Sequence, residues 1–160
     1  VLADGTFSIL VSGADLVADS NTQIEASVTG TGGTAASALQ NYAVVLNVAP
    51  VNTVPAAQTV AEDTQQAITG ISVSDADGNL ATTQISVLNG NLNVNLSGGA
   101  TITAGANNSA TMTLSGTQAQ INAALATIQY KGAANYNGND TLTVLSTDGQ
   151  NVTDSDTVPL

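Results

Sequence analysis

The chain has 160 residues, room for one ordinary domain or two small ones, and carries one basic residue, Lys131, against 12 acidic ones for a formal net charge of −11. A surface of that sign repels phosphate backbones and anionic bilayers, which all but excludes nucleic-acid binding and disfavours anionic membrane surfaces. With no Cys and no His, zinc sites, thiol nucleophiles, Ser-His-Asp triads and iron–sulfur ligation are out, and oxygen ligands suited to hard cations such as Ca²⁺ are what remains.

Hydrophobic residues make up 42% and charged ones only 8%, with Thr, Ser, Asn, Gly and Ala filling the balance. That is an all-β composition with polar, uncharged outer faces. In chain order, Thr6–Val11 reads as a first strand, opened by Asp4-Gly5. Thr22–Thr29 places Ile24, Ala26 and Val28 on one face, and Asn41–Val48 does the same with Tyr42, Val44, Leu46 and Val48. Three strands cannot close a sandwich, which takes about seven, so residues 1–49 are either half a domain or a segment that packs on something else. Pro50 and Pro55 bound a stiff linker over residues 50–55.

Residues 56–160 carry a complete strand set. The expected strands are Ala57–Val60, Gln66–Val73, Ala81–Leu88, Leu92–Leu96, Ala110–Leu114, Thr127–Lys131, Asp140–Ser146 and Val152–Val158. Turn signals at Asp77-Gly78, Asn89-Gly90, Gly98-Gly99, Asn107-Asn108, Asn137-Gly138 and Asp148-Gly149 separate them. Thr117–Ala126 departs from the alternation: Ile121, Leu125 and Ile128 are spaced four then three, which predicts a short crossover helix capped by Ser115 or Thr117. The fold class is therefore an all-β, antiparallel β-sandwich with one short crossover helix. Strand patterns at both ends of the chain suggest a piece of a longer tandem array.

The acids are few enough to weigh singly. Asp75, Asp77 and Asn79 alternate around Gly78, so their oxygens can converge on a cation; the spacing is not that of an EF-hand, and a plain hairpin turn is the competing reading. Alternate loops of a sandwich share an end. That places Asp148 with Asp75–Asn79, and Glu62 and Asp63 with Asn137–Asp140. The run from Asn135 to Asp140 echoes the Asp75–Asn79 layout with Asn for Asp, and a turn is again the competing reading. Asp154 and Asp156 read as edge charges that discourage sheet-to-sheet pairing, Asp15 and Asp19 as solvated loop residues.

Several stretches look familiar in combination: AEDT at Ala61–Thr64 after Pro55, ISVSDADGNLATTQISVLNG at Ile71–Gly90, LSGTQAQINAALATIQY at Leu114–Tyr130 and NYNGNDTLTVLSTDGQ at Asn135–Gln150. With them, Val54–Val158 resembles the cadherin-like, immunoglobulin-fold tandem repeat of giant secreted bacterial adhesins, which implies an immunoglobulin/cadherin-like sandwich over residues 56–160, and Asp4–Gly30 resembles the C-terminal half of a preceding immunoglobulin-like repeat, which implies that residues 1–49 are such a half. The resemblance implies a structural extender at a bacterial surface or in a biofilm, calcium-stiffened where repeats join, with neighbouring repeats or subunits as partners. It also implies that Asp75-Ala76-Asp77 and Glu62 supply ligands at opposite ends. The family's Asp/Asn-rich linker motif is missing, which reduces the expectation to a single ion. The alternative function is a subunit of an extracellular fibre, its incomplete first half receiving strands from a neighbour. Four aromatic residues, Phe7, Tyr42, Tyr130 and Tyr136, are too few for a stacking carbohydrate site, and no acid stands in a context suggesting catalysis.

Overall fold

The computed structural model describes residues 11, 13–28, 36–44 and 46–160. The chain forms two compact units, Val1–Leu46 and Asn47–Leu160.

In the first unit, helix α1 (Gly13–Ala18) precedes β1 (Gln23–Val28) and β2 (Ala36–Asn41), which pair antiparallel from Gln23↔Asn41 to Val28↔Ala36. The expected strand Thr6–Val11 lies outside the described residues apart from Val11. The strand expected over Asn41–Val48 ends where it was to begin. Tyr42 N–H donates to the Thr22 carbonyl at 3.1 Å, while the Tyr42 hydroxyl turns to the Leu16 carbonyl (3.1 Å) and the Asp19 carboxylate (2.9 Å). Asp19 is thus a hydrogen-bond acceptor rather than a solvated bystander. Asp15 sits in the first turn of α1, where a carboxylate faces the positive end of the helix dipole.

The second unit is an antiparallel β-sandwich. Its strands are β3 (Val51–Thr53), β4 (Gln65–Ala67), β5 (Ser72–Ser74), β6 (Leu80–Ser86), β7 (Gly90–Asn93), β8 (Thr101–Gly105), β9 (Thr111–Ser115), β10 (Gln129–Gly132), β11 (Thr141–Asp148) and β12 (Thr153–Pro159), with helix α2 at Gln118–Leu125. One sheet runs β12-β11-β6-β9-β8 and the other β4-β10-β7, while β3 and β5 form a short pair of their own. Alternation explains the layering. Along β11, Leu142, Val144, Ser146 and Asp148 are buried and the residues between them are not. Ile85, Met112, Leu114, Leu142 and Val144 from the larger sheet meet Ile68, Leu92 and Ile128 from the other side, all fully buried. Each such side chain contributes about 1.5–3 kcal/mol relative to exposure.

Helix α2 forms as its spacing predicts. Thr117 caps it, and a capping box ties Gln120 N–H to Thr117 Oγ1 (3.3 Å) and Thr117 N–H to Gln120 Oε1 (2.8 Å). Ile121, Ala124 and Leu125 turn into the core. The flank beside that face holds β5 and the loop after it: Asn122 brackets Val73, accepting its N–H and donating to its carbonyl, both at 2.8 Å, and Gln118 Oε1 accepts Asp75 N–H at 2.8 Å.

Three local expectations change. Gln66–Val73 is not one strand, because Gly70 takes a left-handed φ of +88° and divides it into β4 and β5. Ala57–Val60 is not a strand, although Gln58 N–H reaches the Pro159 carbonyl at 2.9 Å. The Pro50–Pro55 stretch is more than a linker, since β3 lies within it and pairs with β5 from Val51↔Ser74 to Thr53↔Ser72.

Candidate functional site

One end of the sandwich gathers the loop Asp75–Asn79, the β11–β12 turn and the incoming segment Asn47–Val48. Asp75 is nearly buried, and its Oδ1 accepts the N–H groups of Asp77 (3.0 Å) and Asn79 (3.3 Å). Asp77 Oδ2 accepts Val48 N–H at 2.6 Å. Asp148 is buried, and its Oδ1 accepts Gln150 and Val152 N–H, both at 2.8 Å. Burial alone would push its pKa up; the Asn47 amide and the Val152 and Gln150 N–H groups outweigh that and hold it below the usual carboxylate range.

A run of side chains connects the two buried carboxylates: Asp75, Asn79, Asn47, Asp148. The Asn79 amide lies 3.0 and 3.1 Å from the two oxygens of Asp75. Its other side contacts Asn47 Oδ1 at 2.8 Å and Gln150 Oε1 at 3.1 Å. Asn47 Nδ2 donates to Asp148 Oδ2 at 2.6 Å. Three links join the four groups, but two amides can face an NH₂ toward only two of them. With Asn79 donating to Asn47 and Gln150, its oxygen faces Asp75. Turning Asn79 satisfies Asp75 and sets its oxygen against Asn47 and Gln150; turning those in response sets the Asn47 oxygen against Asp148. One oxygen-on-oxygen face persists in every arrangement.

The sequence placed Asp75, Asp77, Asn79 and Asp148 at one end, and they are found there. The acids do not converge directly, however: among the described residues no three acidic side chains gather into a group. The oxygen cluster is a mixed carboxylate–amide set. Asn47 and Gln150 had been overlooked; Gln150 adjoins the Asp148-Gly149 turn, whereas nothing near Asn47 in sequence marks it.

At the opposite end Asp63 Oδ1 accepts Asn135 N–H at 3.1 Å, and Glu62 lines a shallow cleft with Tyr136, Gly138 and Leu160. The two turns therefore share an end. Asp140, expected as a ligand there, is spent on the fold. Its Oδ1 accepts Leu88 N–H (3.0 Å) and Thr141 N–H (2.8 Å), and its Oδ2 accepts Asn89 N–H and the Tyr130 hydroxyl, both at 2.9 Å. Burial would raise its pKa, but these donors together hold it below the ordinary value. Four donors fill a carboxylate's lone pairs, so Asp140 is withdrawn as a cation ligand. Asp154 is likewise no mere edge charge: its Oδ2 accepts Asn52 N–H at 2.7 Å.

The fold and its loop-borne oxygen cluster define a β-sandwich module of immunoglobulin-like build. Residues 57–157 match the family model described as "Protein GAMETE EXPRESSED 2 domain". The match spans more than half of the chain, and the chain belongs to that family. Comparison with curated proteins finds no match, and comparison with solved structures finds none either. The family is a eukaryotic gamete protein family. That finding overturns the resemblance to a bacterial adhesin repeat, and with it the biofilm-extender function and its fibre-subunit alternative.

Proposed function

We propose that this chain supplies a non-catalytic β-sandwich module of an extracellular protein, and that calcium binds at the end formed by Asp75, Asp77, Asn79, Asp148 and Asn47. The observation that carries this reading is the donor shortage between Asp75 and Asp148. A hard cation at the unmatched oxygen face converts a repulsive contact into coordination. It would also tie the incoming segment Asn47–Val48 to the loops beside it. Neighbouring units of the same polypeptide are the partners such a brace would serve. Three carboxylates that each already accept a backbone N–H make, with the amide oxygens, a weak site, in the roughly 10⁻⁴–10⁻³ M range of extracellular modules, which supports placement outside the cell. The non-catalytic reading rests on Asp140 and Asp148, whose oxygens are taken up by backbone and side-chain donors.

Thermal melting with and without calcium tests it. At ten times the dissociation constant a bound ion adds about 1.4 kcal/mol, so millimolar calcium should raise the midpoint by several degrees and chelator should reverse it. Asn79→Ala should abolish the rise. An unchanged midpoint in the parent chain, or an undiminished rise in Asn79→Ala, would overturn the assignment.

A further inference from the structure

Four Asn-x-Ser/Thr triplets occur in the chain, at Asn95, Asn107, Asn139 and Asn151; such a triplet is the acceptor pattern for N-linked glycans in secreted chains. The fold treats them differently. Asn107 is locked against Val94, the residue that follows β7: its Oδ1 accepts Val94 N–H at 2.9 Å and its Nδ2 donates to the Val94 carbonyl at 3.1 Å. Bonding one backbone residue through both amide atoms uses the Nδ2 hydrogen that lies on the same side as Oδ1. A glycan on a planar trans amide occupies that same position, so a sugar on Asn107 would displace Val94.

Asn151 is the opposite case. It is exposed, tops the turn between β11 and β12, and its side-chain amide makes no hydrogen bond among the described residues. Its backbone holds a left-handed φ of +64°, a conformation Asn tolerates better than most residues and one that substitution on Nδ2 does not disturb. Asn151 N–H donates to the Asp148 carbonyl (3.2 Å), and Asp148 N–H donates to the Val152 carbonyl (3.0 Å). The turn is thus held by backbone, leaving the side chain outside it. Thr153, the hydroxyl residue of the triplet, is also exposed.

We infer that Asn151 is an N-glycan acceptor and that Asn107 is not, an inference that rests on the extracellular reading above. The donor would be a lipid diphosphate-linked oligosaccharide. Asn151 Nδ2 attacks the anomeric carbon, the bond from that carbon to the diphosphate oxygen breaks, the lipid diphosphate leaves, and Nδ2 gives up one proton. A glycan there would project beside Gln150 at the oxygen-rich end.

The test expresses the full chain behind a secretion leader in eukaryotic cells and recovers folded protein from the medium. An amidase that converts each glycosylated Asn to Asp, followed by mass measurement of peptides, reads every triplet separately. Conversion is expected at Asn151 and not at Asn107. Asn151→Gln should remove one glycan's mass, and Thr153→Ala should do the same while leaving Asn151 in its turn. An unmodified Asn151 in secreted protein, or Asn107 occupied as fully as Asn151, would overturn the inference. Because the leader delivers the chain, this outcome is independent of native location, which fails separately if fractionation finds the native chain in the cytosol.

Discussion

Asp140 illustrates how a residue type that suggests one chemistry can be committed to another. Its four donors come from the 88–89 turn, from its own neighbour and from Tyr130. Hydrogen bonds to a charged group contribute about 1.5–3 kcal/mol each. Asp140→Asn cannot reproduce the pattern, since an NH₂ would meet N–H donors, and it should cost about 3 kcal/mol in urea denaturation. The pH dependence follows with its sign. The folded-state pKa values of Asp140 and Asp148 lie below the ordinary 3.8. Their contribution is complete above that value and is lost as pH falls through the depressed folded values. Tyr130 works in the opposite sense: burial first, then its bond to Asp140, raise its pKa above 10.0. Its contribution is present below that value and fades as pH rises beyond it. Denaturation midpoints measured across pH should therefore hold steady through neutrality and fall below about pH 4, less steeply in Asp140→Asn.

At the scale of elements, β3 is the least expected part of the sandwich. Three residues make a weak strand, and its anchor is Asn52, nearly buried. Asn52 Nδ2 donates to the Asp154 carbonyl at 2.9 Å and to the Val144 carbonyl at 3.3 Å, while its Oδ1 accepts the Ser146 hydroxyl at 2.6 Å. Ser146 in turn meets Thr83 at 3.0 Å. This network is satisfied throughout, with no buried side-chain polar atom left unpartnered among the described residues. A satisfied buried network specifies one docking position for the strand; a broken one leaves stranded groups. Asn52→Ala should cost about 2 kcal/mol by chemical denaturation, whereas Val51→Ala, at a side chain that is 55% exposed, should stay within about 0.5 kcal/mol.

For the whole molecule, the position of the unit boundary decides what folds. The compact unit begins at Asn47, so it contains both the oxygen-rich end's Asn47 and the strand that Asn52 anchors. A chain of residues 47–160 should unfold in one cooperative transition. A chain begun at Ala56, where the prolines suggested a boundary, lacks β3 and leaves β5 and Asp154 without their partners. It should lose more stability than Asn52→Ala alone, read by calorimetry on the two fragments. The family match at 57–157 covers the sandwich layers without β3, so family membership and the folding unit do not share a border.

What the amino-acid sequence determined by itself was whatever a residue and its near neighbours decide. The period-two runs of β6 and β11, the helix with its Thr117–Gln120 capping box and the turns at Asp77-Gly78 and Asp148-Gly149 depend on local dihedral preference and alternate burial. Those are readable in any window of a few residues. The pairing of Asp148 with the Asp75 loop was legible too, because sandwich connectivity puts alternate turns at one end. Only the tertiary structure decided that Asn47 would stand between Asn79 and Asp148, that Asn52 would hold β3, and that Asp140 would be filled by donors. These residues meet partners 32 to 102 positions away in all but a few of their bonds. A side chain's chemistry states which bonds it can make, whereas the packing of distant segments determines which of them are available.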